Sequence, residues 1–188
     1  IDVPLERDEG EYAYVAQLIQ DGVPPFTEGC NMKLPGTYYA YAALMAVFGQ
    51  TAWGIRVGLL GVHLATVALV FALGRRVVGT LAAGIGGSAF AILALDRWSM
   101  GVFAHATHFV LLPVLAGLLV LDAARRSGRA GPFVAAGFLV GIAITMKQQA
   151  LFFGVLAVGL AAWSGRGVAG SVTPSAWPNG WSSSPRRI

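Results

Sequence analysis

The sequence predicts an all-α, polytopic transmembrane fold, with amphipathic juxtamembrane helices in its first external loop. Three observations carry that prediction. Of 188 residues, 56% are hydrophobic and only 12% are charged, whereas soluble domains average about 45–50% apolar and about 25% charged residues. Mean hydropathy is +0.66. The apolar residues fall into long runs separated by short charged stretches, and 25 glycines supply the small residues that let helices approach closely in lipid. This composition excludes a soluble enzyme, a disordered tail, a coiled coil and a disulfide-rich secreted domain. The single cysteine, Cys30, has no partner for an internal disulfide.

Residues 1–55 read as an external loop with two amphipathic helices. Asp8, followed three residues later by Glu11, reads as a capping box. Tyr12, Val15, Ala16 and Ile19 then repeat at helical spacing. The helix should stop near Asp21-Gly22, and Pro24-Pro25 imposes an extended stretch. A second short helix is predicted over 37–48. Its Tyr38, Tyr39 and Tyr41 read most simply as an aromatic belt at the membrane–water boundary. Both helices are too polar or too short to span, so they are expected to lie along the surface.

Residues 56–163 hold four to five predicted spans. Apolar runs cover 57–73, ending at Arg75-Arg76; 81–95, ending at Asp96-Arg97; and 102–121, ending at Asp122 and the loop with Arg125, Arg126 and Arg129. The run 133–163 is interrupted by Lys147-Gln148-Gln149. A span takes roughly 20 residues, so this last run is read as two short helices turning at Lys147. Residues 164–188 form a polar, proline-containing tail, expected to be disordered or aberrant. The chain starts at Ile1, inside a polar segment, so a fragment is expected.

Charge sets the orientation. Seven of the nine acids (Asp2, Glu6, Asp8, Glu9, Glu11, Asp21 and Glu28) lie in the first 28 residues. With Arg75-Arg76 cytoplasmic, alternation puts Arg125, Arg126, Arg129 and Arg166 on the same side, as positive-inside topology requires. The acidic segment, Arg97 and Lys147 then share the outer face with Asp8 and Lys33. The basic residues form no stripe on one polar face, so no nucleic-acid partner is expected.

There is no Walker loop, no Rossmann glycine motif, no HExxH and no Cys/His metal spacing. What remains is the acidic first segment and a few boundary charges. The stretch DEGEYAYVAQLIQDGVPPFTEGCNMKLPGTYYAYAALMAVFG resembles the first external loop of GT-C-type membrane glycosyltransferases. The branch holding the protein O-mannosyltransferases and lipid A aminoarabinose transferases is most similar. The features that carry the resemblance are Asp8-Glu9 then Tyr12-Ala13, the Gly22-to-Pro25 turn, and Lys33-Leu34-Pro35. RVGLLGVHLATVALVFALGRRVVG resembles the span that follows such a loop, and GIAITMKQQALFF the family's Gly-rich helix ending in Thr-x-Lys-Gln. The resemblance covers roughly residues 5–160.

The resemblance implies an inverting glycosyltransferase that moves a sugar from a polyprenyl phosphate to an acceptor hydroxyl on the outer face. It places the catalytic carboxylate at Asp8, with Glu9 beside it, and the lipid-phosphate lysine at Lys33. Tyr12, Arg97 and Lys147 are the further candidate substrate-binding residues. The chemistry suits such a set. A carboxylate orients the incoming hydroxyl and accepts its proton, and cations stabilise charge gathering on the departing phosphate. The implied partners are membrane lipid, the lipid-linked sugar donor and an acceptor protein, lipid or glycan. No cofactor beyond the donor is expected, no metal ligand is assigned, and a divalent-metal requirement stays open. Gly/Ala/Arg usage and the charge asymmetry suit a bacterial inner membrane. Two departures stand out. Met32 occupies a position where some members carry Glu, and His105 and His108 lie where many have a Glu. The family has eleven or more spans, so this chain reads as an N-terminal piece whose own activity stays open.

Each candidate has a plainer reading. Asp8 serves as a helix N-cap. Glu9 is a solvated first-turn acid favoured by the helix dipole. Lys33, Arg97 and Lys147 are interfacial anchors, and His63 bonds across helices. The alternative from another class is a transporter or non-catalytic membrane subunit. It predicts mid-span charges, and none occurs between 57 and 73, 81 and 95, or 102 and 121.

Overall fold

A computed structural model describes residues 4–28, 33–96 and 100–170, with side chains up to residue 163. The described elements are all helical: α1 (Arg7–Gln20), α2 (Gly36–Phe48), α3 (Ala52–Val77), α4 (Thr80–Leu93), α5 (Ala106–Ser127), α6 (Ala130–Met146), a short 3-10 turn (Gln148–Ala150) and α7 (Leu151–Gly170). The protein is an all-α membrane protein. Of these helices, α3 and α5 are long and apolar enough to cross a membrane, and Thr80–Leu93, Ala130–Met146 and Gln148–Trp163 are shorter apolar helices. Leu64, Leu81, Ile85, Ile92, Val134, Phe138, Phe152 and Val158 are all more than 60% exposed. Such a continuous apolar surface belongs in lipid, not in water.

The start of α1 differs from the sequence expectation by half a turn. Glu6, not Asp8, is the N-cap. Its carboxylate accepts from the Asp8 N–H at 2.9 Å, and Glu9 returns a bond from the Glu6 N–H at 2.9 Å. The box is therefore Glu6/Glu9 instead of Asp8/Glu11. The physical reason is the demand for Glu9 on the inner side of the helix, described below, which leaves Asp8 free to face outward. The helix ends where expected. Gly22 takes φ +85°, its N–H bonds to Ile19 O at 3.1 Å, and Val23 N–H to Leu18 O at 2.8 Å. That double closure requires a left-handed residue, which glycine supplies without strain.

α2 is less a surface belt than a core element. Thr37, Tyr38, Tyr41, Ala42 and Met45 are buried, and Tyr38 and Tyr41 are fully enclosed. Tyr12 of α1 packs on both rings, with centroids at 5.9 and 5.2 Å. Tyr41 packs on Phe109 of α5 at 5.5 Å and donates its hydroxyl to the Ala104 carbonyl at 2.6 Å. Of the three tyrosines expected in a belt, only Tyr39 is exposed. The belt reading fails for the other two because their neighbours on α1 and α5 were invisible to a local pattern.

The first turn of α2 is pinned to the end of α6. The Thr37 hydroxyl donates to Met146 O at 3.0 Å. A Cβ on Gly36 would lie 2.7 Å from the Thr145 carbonyl carbon, so only glycine permits this approach. α6 stops there, the backbone of Lys147 turns extended (φ −153°, ψ 131°), and the chain re-enters through the 3-10 turn into α7. The interruption at Lys147 read from sequence is thus a real break. The helix of α7 runs on through Gly170, past the composition change at Ser164. Residues 171–188 lie outside the described residues.

Candidate active site

α1 presents two faces with different tasks. Asp8, Glu11 and Tyr12 stand at i, i+3 and i+4 and so share one face. Glu9, Ala13 and Ala16 share another, which is buried. The first face meets Lys33. Lys33 Nζ lies 3.2 Å from Asp8 Oδ1 and 2.9 Å from Glu11 Oε2, and 4.6 Å from the centroid of the Tyr12 ring. The Tyr38 hydroxyl donates to the other Glu11 oxygen at 3.0 Å. Burial by itself would lower the Lys33 pKa. Hydrogen bonds to Glu11 and Asp8 and the neighbouring negative charge outweigh it, and the net shift is upward. Lys33 is therefore held charged.

These residues open onto a cavity of about 250 Å³ lined by Asp8, Tyr12, Lys33, Leu34, His105, Ala106, Met146, Lys147, Gln148 and Gln149. Lys147 Nζ donates to the Thr107 hydroxyl at 2.8 Å, which fixes its ammonium at the rim. Four of the sequence candidates, Asp8, Tyr12, Lys33 and Lys147, thus line one cleft. They come from α1, the segment before α2 and the α6–α7 break. Arg97 and Met32 lie outside the described residues.

Glu9 is not in the cleft, and it is not solvated. Its side chain is fully buried. Oε2 accepts from Arg56 Nη2 and from the Glu6 N–H, both at 2.9 Å. Oε1 accepts from Arg56 Nη1 and from the Ala104 N–H. Four donors use up the carboxylate, and a buried charge needs that much compensation. The first-turn surface reading overlooked Arg56, which lies 47 residues away and is folded over the Phe103 ring at 5.2 Å. Arg56 was not among the candidates. Its only sequence signal is a lone charge at the mouth of an apolar run.

Through these bonds Glu9 ties α1 to α3 and to the segment leading into α5. That segment delivers His105, the N-cap residue of α5. The His105 ring lies between two carboxylates, with Nε2 3.7 Å from Glu6 Oε2 and Nδ1 3.9 Å from Asp8 Oδ2. Glu6, Asp8 and His105 can each offer one ligand atom within 4.8 Å of the others, a grouping a divalent cation could use. Linear spacing hid it because His105 is remote in sequence. His63 does bond across the bundle, as expected, through Nε2 to Gly101 O at 3.1 Å, and its ring meets His108 at 4.7 Å.

The family assignment follows from a match over most of the chain. A family model described as dolichyl-phosphate-mannose-protein mannosyltransferase matches residues 32–176. The chain belongs to this family. It is a family of GT-C-type membrane glycosyltransferases, as the motifs around Lys33 and Lys147 implied. The match takes in Lys33, Arg56, His105 and Lys147 and begins after Asp8. The relation of Asp8 to the site therefore rests on geometry. No curated protein and no solved structure matches the chain.

Proposed function

We propose that the protein transfers a sugar, with inversion, from a polyprenyl-phosphate donor to an acceptor hydroxyl on the outer face of the membrane. One observation supports this reading above the others: a half-exposed carboxylate, Asp8, shares a cleft with two ammonium groups, Lys33 and Lys147. In the proposed reaction the acceptor oxygen attacks the anomeric carbon while Asp8 takes its proton. The bond from that carbon to the phosphate oxygen breaks, and the electron pair leaves with the lipid phosphate. Lys33 and Lys147 bind that phosphate and stabilise its added charge. Without donor, Lys33 is neutralised by Asp8 and Glu11. Donor binding draws it toward the phosphate and uncovers Asp8 for the acceptor. Tyr12 forms the floor under Lys33. Glu9 acts as a positioning residue, holding α1 against α3. Arg56 also lines an apolar cavity of about 260 Å³ with Leu59, Leu60, Leu95 and Val102, which supplies a lipid-facing seat for the prenyl chain.

The test uses the full-length protein in a bacterial inner-membrane preparation and a labelled polyprenyl-phosphate sugar. Asp8→Asn keeps the shape of the site and removes the base, so turnover should fall about 10²–10⁴-fold. Lys33→Met should raise the KM for donor. Undiminished turnover in Asp8→Asn would remove Asp8 from the mechanism. Sidedness is read from Tyr14→Cys and Arg129→Cys in a Cys30→Ser background. An impermeant thiol reagent should label the first in intact cells and the second only after permeabilisation, and the reverse result overturns the outer-face assignment.

A further inference from the structure

The end of α3 and α5 remote from the acidic cleft carries its own site. Arg56 and Arg76 are twenty residues apart on α3, about 30 Å along a helix, which matches the hydrocarbon core of a bilayer. At that far end Arg76 Nη1 donates to Asp122 Oδ2 at 2.8 Å, and Arg126 Nε and Nη2 donate to the two Asp122 oxygens at 3.2 and 3.3 Å. Arg75 and Arg125 neighbour Arg76 and Arg126 along the chain, Arg129 follows three residues after Arg126, and no ion pair to these three is found among the described residues. The chain has no acid beyond Asp122. Asp96 follows the opposite end of α4, and the other acids are in the first loop. This end of the bundle therefore carries five arginines and one carboxylate, of which Arg76 and Arg126 pair with it.

Beside the arginines lies a cavity of about 230 Å³ between α3, α5 and α7, lined by Arg76, Arg125 and the Asp122 carboxylate that pairs with Arg76, with Leu73, Leu118, Leu121 and Leu160 along its wall. On α5, Leu118, Leu121 and Arg125 fall on one face, with the leucines toward the membrane middle. Cation above and apolar cleft below is the profile of a phospholipid: phosphate at the rim, first acyl carbons against the leucines. The excess positive charge selects the headgroup. A glycerol phosphodiester brings net negative charge, whereas an ethanolamine amine adds a cation among arginines.

We propose that this cleft binds an anionic glycerophospholipid of the leaflet opposite the acidic site, its phosphate held by Arg125 and Arg76. The site is independent of the reading given to the Asp8 cleft. The test is native mass spectrometry of the full-length protein in detergent, titrated with phosphatidylglycerol or with phosphatidylethanolamine of identical chains. The wild type should prefer phosphatidylglycerol about tenfold or more, and Arg125→Gln should remove about that factor, the size of one charge-assisted hydrogen bond. Leu118→Trp fills the cleft without changing charge and should weaken binding comparably. Arg129→Gln removes an equal charge outside the cleft and should change binding less than about threefold, since a surface charge contributes only weakly. Equal binding of the two lipids, or equal losses in Arg129→Gln and Arg125→Gln, would overturn the proposal. Undiminished binding in Leu118→Trp would overturn the cleft as the seat.

Discussion

Replacing Arg56 with methionine should unfold the α1 end of the bundle far more readily than its position at a helix start implies. Methionine keeps most of the apolar stem against Phe103, so the perturbation is chiefly electrostatic. It leaves Glu9, fully buried, with two backbone N–H donors, from Glu6 and Ala104, and no counter-charge. Removing one partner of a buried ion pair costs about 3–5 kcal/mol. Much of a small domain's net stability is of that size. Glu9→Gln alone turns an amide NH₂ toward one of those backbone donors and leaves the Arg56 guanidinium, 10% exposed, without its counter-charge, at about 3–5 kcal/mol. The double variant no longer buries a lone charge, so its cost should fall below the sum of the singles by about 2–3 kcal/mol. The assay is a denaturant titration in detergent micelles, followed by near-UV circular dichroism of the buried tyrosines. An Arg56→Met cost under about 1 kcal/mol, or simple additivity, would refute the assignment of Glu9–Arg56 as the pair that locks α1 to α3.

Two further outcomes are expected. Gly36→Ala drives a Cβ into the Thr145 backbone and should cost about 1–3 kcal/mol, whereas Gly61→Ala, with nothing within 4 Å of the new methyl, should be neutral or slightly stabilising in the same titration. The loop should also show a defined alkaline limit. Burial raises the Tyr12, Tyr38 and Tyr41 pKa values above the ordinary 10.0, and the bonds to Glu11 and Asp8 raise Lys33 above 10.5 against its partial burial. In each case the unfolded chain releases its proton first, so stability is complete below about pH 10 and declines as pH rises beyond it. Tyrosinate absorbance followed alongside the denaturation midpoint checks this. Glu11→Gln, which removes the charge that both Tyr38 and Lys33 face, should bring the tyrosinate absorbance of the folded protein to lower pH and shrink the loss of stability above pH 10, and an unchanged profile would contradict the coupling.

Much of the architecture was legible along the chain. The apolar helices declared themselves through runs bounded by Arg75-Arg76, Asp122 and Lys147, and among the described residues two of them, α3 and α5, are long enough to cross a membrane. The stop at Gly22 was readable because a left-handed closing residue has few substitutes. The site was legible in part. Asp8 and Lys33 were nominated through the family resemblance, with Tyr12 and Lys147 as further candidates, and the packed chain gathers these four along one cleft.

Contacts between remote segments were not legible. Whether Glu6 or Asp8 caps α1, whether Tyr38 and Tyr41 face lipid or each other's neighbours, and whether Glu9 meets water or Arg56 all depend on what lies across the interface. A side chain's local pattern records its propensity, while its burial, its counter-charge and its hydrogen-bond partners belong to the packed bundle. The sequence by itself determined that this chain is helical, membrane-bound and charged differently at its two ends. Only the tertiary structure decided which of two adjacent carboxylates opens into the cleft and which is locked behind it, because a buried charge goes where donors from three separate elements converge.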